Sequence, residues 1–206
     1  MENPGIQSIA ESIQFIPQLQ ELFIYQNTLR KEGLHPLFIQ LLKHCKNLVS
    51  FDLCDNFVRE EATTEMTNII KNCENLRNLN LSDCLNEGEN EAIITAFEES
   101  KNRNFERLGF NFIELDKDLA LRLLEVVKEC PKLKRLDITG NDFSKSTKKK
   151  FTEAFEDKPE VLSKFDDDDD EEEVTRLFEE LKIWNILMLL LFIMYFTPEY
   201  QQSISN

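Results

Sequence analysis

Residues 76–86 read Leu76-Arg77-Asn78-Leu79-Asn80-Leu81-Ser82-Asp83-Cys84-Leu85-Asn86. The alternation at Leu79 and Leu81 has the period of two that marks a strand with one buried face. Leu76 sits three residues upstream and a small hydrogen-bonding residue, Cys84, three downstream, which gives the frame L-x-x-L-x-L-x-x-[N/C]-x-L with Asn86 breaking its last position. The frame recurs on both sides. Leu48, Phe51, Leu53, Asn56 and Val58 precede it, and Leu19, Leu22, Ile24, Asn27 and Leu29 come before those. Phe105, Leu108, Phe110 and Leu115 follow, with Ile113 where Asn or Cys is expected, and then Leu133, Leu136, Ile138, Asn141 and Phe143. The copies begin at 19, 48, 76, 105 and 133, so the intervals are 29, 28, 29 and 28 residues.

That register is the signature of a leucine-rich repeat array. Positions 1, 4 and 6 turn apolar side chains inward from a short strand, and successive strands pair into one parallel sheet. The Asn or Cys at position 9 satisfies backbone groups where the chain leaves the sheet. Beyond each turn the apolar period lengthens to that of a helix: Leu34, Leu37, Phe38, Leu41 and Leu42; Met66, Ile69, Ile70 and Cys73; Ile93, Ile94 and Phe97; Leu119, Leu123, Leu124 and Val127. A repeat of 28–29 residues has room for a full α-helix on the convex side. The predicted class is α/β, a right-handed solenoid shaped like the ribonuclease-inhibitor horseshoe.

Cysteines obey the same register. Cys45, Cys73 and Cys130 share one repeat offset and close the buried faces of helices, Cys84 fills the turn position, and only Cys54 points from a strand toward the concave surface. Small buried hydrophobes account for four of the five. With no His in a corresponding strand-face position, a catalytic thiol is not expected. An odd cysteine count without a secretory pattern points to a reducing, intracellular compartment.

Composition removes other chemistries. Gly is 5 of 206 residues, against a usual share of about 7%, and neither G-x-G-x-x-G nor G-x-x-x-x-G-K-[ST] occurs, so no nucleotide site of the chain's own is expected. His35 and His44 are the only histidines, and C-x-x-C and H-E-x-x-H are absent, leaving no zinc ligand set. No cofactor is expected. A net charge of −15 argues against nucleic acid as a partner. More than half of it comes from Asp166–Glu173, eight consecutive carboxylates, so the acidic block is separate from a mildly acidic body.

These features divide the chain into an array over 1–165, an acidic tail over 166–182, and a hydrophobic segment with an irregular C-terminus over 183–206. Gly5, Ile6, Ile9 and Ile13 match Gly33, Leu34, Leu37 and Leu41 after a shift of 28, so residues 1–18 read as the helical half of a repeat whose strand is missing, and the array is expected to be truncated at its N-terminus. Phe155 and the pair Val161–Leu162 are expected to cover the last open face of the core. The lysines at 145 and 148–150 read either as a solvated helix face or as a localisation or partner patch. Asp166–Glu173 is expected to be extended by self-repulsion, serving solubility or the long-range attraction of a basic partner. Residues 183–196 are apolar except Asn185; 14 residues make about 21 Å of helix against a hydrocarbon core of ~30 Å. A sequence artefact, a helix packed on protein and a short membrane anchor are the three readings.

With these residues in place the chain resembles the Ran GTPase-activating proteins. The resemblance rests on the 28–29 period, on Leu19-Gln20-Glu21-Leu22 leading to Gln26-Asn27 with Gly33 six residues on, on Asp55-Asn56-Phe57, on Leu79 through Leu85, and on Leu133 through Asn141 followed by a helix and an acidic run. It covers about 1–173. It implies a crescent that binds the small nuclear-transport GTPase Ran and promotes its GTP hydrolysis in nucleocytoplasmic transport, with GTP and Mg²⁺ held by the partner. It implies a cytoplasmic protein, at the nuclear envelope or in the nucleus as further sites. In that family no arginine finger is supplied; an asparagine of more N-terminal repeats helps order the partner's own glutamine and water. Those repeats have no counterpart here, so no catalytic residue is carried over, and Asn27, Asn56 and Asn141 are turn residues by their spacing.

What remains is a binding surface. Side chains at positions 3, 5 and 7, and the turn residue after them, face the concave side or its rim: Glu21, Phe23, Tyr25 and Gln26; Ser50, Asp52, Cys54 and Asp55; Asn78, Asn80, Ser82 and Asp83. The partner-binding candidates among them are Glu21, Phe23, Tyr25, Gln26, Asp52, Asp55, Asn80 and Asp83, an acidic strip with an aromatic pair suited to a basic protein surface. Ordinary solvation is the alternative for each. Arg107, Asn111, Arg135, Asp137 and Thr139 continue the surface with mixed charge. The competing reading for the whole chain is a non-catalytic acidic leucine-rich repeat interaction protein, and a third, a membrane-tethered adaptor, rests on 183–196 alone.

Overall fold

The structure is a computed structural model that describes residues 4–163 and residue 165; the acidic block and the apolar segment 183–196 lie outside the described residues. Five three-residue strands alternate with helices: α1 (Pro4–Ser12), β1 (Glu21–Phe23), α2 (Lys31–His44), β2 (Ser50–Asp52), α3 (Glu61–Asn72), β3 (Asn78–Asn80), α4 (Glu87–Glu99), β4 (Arg107–Gly109), α5 (Lys117–Lys128), β5 (Arg135–Asp137) and α6 (Lys145–Ala154). The strands form one parallel sheet in sequence order. Its register follows the repeat: Glu21, Ser50, Asn78, Arg107 and Arg135 lie side by side, as do Leu22, Phe51, Leu79, Leu108 and Leu136. This is the α/β repeat solenoid expected from the spacing.

The inward positions build one continuous core with the helices. Phe38 meets Phe51 edge-on at 5.8 Å, and Phe97 lies 5.2 Å from Phe105 and 5.5 Å from Phe110. Burying each such side chain contributes about 1.5–3 kcal/mol. The turn position works as its residue types require. Asn56 accepts the Leu29 amide and donates to the Ile24 and Leu53 carbonyls, and Cys84 donates its thiol to the Leu53 carbonyl at 2.8 Å. Asn141 repeats the pattern with Ile113, Leu115, Phe110 and Ile138. Ion pairs then tie consecutive repeats, among them Lys71–Glu99 at 2.8 Å, Arg103–Glu129 at 2.9 Å and Arg122–Glu98 at 2.6 Å. Lys31 pairs with Glu60 across the same interval.

The two edges of the sheet differ. Beyond β5 the chain returns so that Leu162 bridges Leu136 in parallel, the Ser163 amide donates to the Leu136 carbonyl, and Ser163 Oγ accepts the Ile138 amide. Val161 and Phe155 are buried, and Phe165 closes edge-on over Phe143 and Phe151. At the β1 side Leu19 and Leu22 are only partly buried, Phe15 is 78% exposed, and Ile9, which aligns with sealed Leu37, is 41% exposed. No described repeat stacks on that side of α1, so a helix position that is core elsewhere faces outward here.

Candidate partner-binding surface

Short strands decide what the sheet presents. Because side chains alternate, positions 3 and 5 of every repeat leave the core together. They line a trough of about 390 Å³ that crosses all five strands, with Glu21, Phe23, Asp52, Asn80, Arg107, Arg135 and Asp137 among its walls. Gly109 makes part of this space: a Cβ there would lie 2.2 Å from Asn80 Oδ1 and 3.0 Å from Ser82 Oγ. Asn80 uses that room to bridge its neighbours, donating to Asp52 Oδ2 at 3.2 Å and accepting the Ser82 amide at 3.1 Å. Asp52 in turn accepts the Cys54 amide at 3.0 Å through Oδ1.

The trough has a rim built from one recurring backbone conformation. Gln26, Asp55, Asp83, Phe112 and Gly140 occupy the position just before the turn residue in successive repeats, and all have positive φ, between 53° and 67°. Asp tolerates this region better than most residues; Phe does not, and Gly is free to adopt it. Backbone bonds hold the row in step: Gln26 N–H to Cys54 O, Asp55 to Ser82, Asp83 to Asn111 and Phe112 to Thr139, all 2.8–3.0 Å. The side chains therefore stand outward at the spacing of the strands, about 4.8 Å.

Charge is uneven across this surface. Asp52, Asp55 and Asp83 surround Cys54, whose thiol is pushed up by burial and then by these three carboxylates. Glu21 and the exposed aromatics Phe23 and Tyr25 extend the acidic half to β1. On β4 and β5 the sign reverses at Arg107 and Arg135, of which Arg135 is held by Asp137 at 2.7 Å. The surface is thus uneven, acidic over three repeats and of mixed charge over the next two, where Arg107 stands beside the Arg135–Asp137 pair. Among the described residues there is no group of three His, Cys, Asp or Glu side chains able to hold a metal.

The sheet brings Asp52, Asn80, Asp55 and Asp83 together around Cys54, and sets Glu21, Phe23, Tyr25 and Gln26 beside them on the outer strand. Ser50 and Ser82 face the trough side as expected but are buried there, because Asn78 donates to Ser50 Oγ and the Asn111 amide donates to Ser82 Oγ, so each hydroxyl is engaged by the neighbouring repeat. Phe112, 60% exposed, is the rim residue that sequence reasoning passed over. Its signal was available in the register 26, 55, 83, 112, 140.

Fold and surface together define a leucine-rich repeat solenoid whose candidate working face is the exposed side of a parallel sheet. Among curated proteins the chain is similar to Ran GTPase-activating protein 1 of Saccharomyces cerevisiae, 28% identical over 142 residues, covering 66% of this chain and 33% of the yeast protein. The chain thus spans about a third of that relative's length. The fold is shared with the tropomodulin C-terminal domain of Caenorhabditis elegans (TM-score 0.57, 14% identity, 73% of this chain and 91% of that one). It is shared also with actin-binding site 2 of leiomodin-1 (TM-score 0.56, 14% identity, 86% and 97%). No protein-family profile matches. Among the described residues no helix is long and apolar enough to cross a membrane.

Proposed function

We propose that this chain binds a small GTPase of the Ran class through the acidic half of the sheet face and its rim, as a GTPase-activating protein or the C-terminal part of one. The observation that supports the reading is the acidic strip of Asp52, Asp55 and Asp83 beside exposed Phe23 and Tyr25, in a chain similar over 142 residues to a Ran GTPase-activating protein. A cluster of carboxylates attracts a basic surface and speeds encounter, while the aromatics supply contact area that holds it. Nucleotide and Mg²⁺ belong to the partner in this reading. The role is regulatory: the chain contributes a surface and leaves the chemistry to the GTPase, in nucleocytoplasmic transport if the partner is Ran.

The test is binding of the 206-residue chain to GTP-loaded Ran at low and moderate salt, with single-turnover hydrolysis measured alongside. Binding that weakens as salt rises is expected, with little acceleration of hydrolysis. Absence of binding at low salt overturns the reading. Strong acceleration overturns the narrower claim that the activating asparagine lies in repeats this chain lacks.

A further inference from the structure

Phe112 places a bulky, largely exposed ring at a position where the repeat ladder imposes a left-handed backbone. Its φ is +53°, in the left-handed region where a bulky side chain crowds its own backbone. The ring is not compensated by the core, since it remains 60% exposed. The same register position is filled elsewhere by Gln26, Asp55, Asp83 and Gly140, polar or small residues that suit a solvated turn. The next repeat is shaped around the ring: a Cβ on Gly140 would come within 2.1 Å of a Phe112 ring carbon. Phe112 thus has a built seat that supports it from one side and leaves the opposite face open to solvent.

One strand spacing away stands Asp83, and one further stands Asp55. Neither carboxylate is engaged by a hydrogen bond or ion pair among the described residues. An exposed ring one strand spacing from the Asp83 carboxylate and two from that of Asp55, neither paired with a base, complements one kind of surface: a lysine or arginine whose charge meets the carboxylates and whose alkyl stem, with an apolar neighbour, lies on the ring.

We infer that Phe112 is the specificity-determining anchor of the rim, docking a basic–apolar strip on the surface of a small GTPase between Asp55 and Gly140. This rests on the reading of the rim as a GTPase-binding surface and adds the residue that selects the partner. A residue kept for packing and one kept for binding respond oppositely to Phe112→Gly, because glycine removes the ring and relieves the backbone at once.

The experiment compares the wild-type chain with Phe112→Gly, Phe112→Trp and Asp55→Asn/Asp83→Asn in thermal unfolding. Binding is measured against a panel of small GTPases of the Ran, Ras, Rho, Rab and Arf classes loaded with a non-hydrolysable GTP analogue. Phe112→Gly is expected to keep or raise Tm while weakening binding about tenfold or more. Phe112→Trp is expected to retain binding, and the double Asn variant to lose affinity together with most of its salt dependence. A fall in Tm for Phe112→Gly assigns the ring to packing and overturns the inference whatever the GTPases do. Unchanged affinity for Phe112→Gly overturns it too, and leaves the rim reading standing. Binding by another class but not Ran overturns the Ran reading alone; binding by none overturns both.

Discussion

Asn56 Oδ1 accepts the backbone amide of Leu29 at 2.8 Å, a bond that spans 27 residues and links the turn of one repeat to the turn of the one before. The same carboxamide donates to the Ile24 and Leu53 carbonyls at 2.9 and 2.7 Å, so one buried side chain satisfies three backbone groups that have no water to turn to. Asn56→Ala is expected to lower the unfolding free energy by about 3 kcal/mol or more, the cost of leaving several buried polar groups unmade. Asn27→Ala, at the same position of the exposed first repeat, is expected to cost well under about 1 kcal/mol. Urea midpoints of the two variants check the contrast, and equal losses would remove the turn ladder as a source of stability.

Gly109→Ala probes the trough from below. The added methyl would meet Asn80 Oδ1, displacing the side chain that bridges Asp52 to the Ser82 amide. A loss of about 1–2 kcal/mol is expected, as for a small overpacking change that the neighbour relieves by moving. Because Asp52 loses its partner in the same step, partner binding is expected to weaken as well, which isothermal titration on the folded variant would register.

Thiol chemistry separates the five cysteines. Cys45, Cys73, Cys84 and Cys130 are buried and Cys54 is partly exposed. Burial pushes the Cys73 thiol up to about 11 and the Cys84 thiol up to about 12, so neither supplies thiolate near neutrality. At pH 8 one equivalent of a thiol reagent is expected to react, at Cys54, and more slowly than an unstructured thiol because burial and the nearby carboxylates oppose its ionisation. Peptide mapping after labelling decides; rapid modification of Cys84 in native protein would contradict the packing described.

Acid is expected to loosen the joints between repeats. The Arg122 hydrogen bond, and then its charge, holds the Glu98 carboxyl below the usual range, and Lys134 does the same for Glu106 with help from Arg77. A carboxyl depressed on folding contributes stability above its unfolded value, about 4.3, and loses it as pH falls through the lower folded value. The wild-type chain should therefore lose stability relative to Glu98→Gln between roughly pH 5 and pH 3. The difference should be under about 1 kcal/mol, because the pair is solvent-screened. A difference that stays constant over that window would show that the pair contributes nothing.

The repeat period made the fold legible, since Leu79, Leu108 and Leu136 recur where a parallel register requires them. It located the acidic residues too, for Asp55 and Asp83 stand four residues after the central strand residues Phe51 and Leu79, and Asp52 directly follows Phe51. What stayed hidden are substitutions that keep a role while changing chemistry. Asn102 stands at the offset of Cys45, Cys73 and Cys130, yet acts by donating to the Leu76 carbonyl and accepting the Asn104 amide. Asn90, from α4, donates to the Ile113 carbonyl in the repeat whose turn Asn is missing. Serines 50 and 82 were hidden for another reason, because burial at strand-face positions depends on the neighbour's side chain as much as on their own. The left-handed row carries no shared residue type from Gln26 to Gly140; the backbone ladder imposes it.

The unequal edges of the sheet give the molecule a polarity of persistence. A solenoid is coupled mainly between nearest repeats, so opening begins where one side has no neighbour and travels inward. Among the described residues Leu162 and Phe165 cover the β5 side, whereas Leu19 and Leu22 on the β1 side are only partly buried, so in the 206-residue chain amide protection should climb from β1 toward β5. Phe23 and Tyr25 are carried by that least persistent strand, while Phe112 sits near the locked end. A partner gripping the whole rim would therefore meet a firm anchor at one end and a yielding one at the other. Its arrival would be felt most as slowed amide exchange around β1.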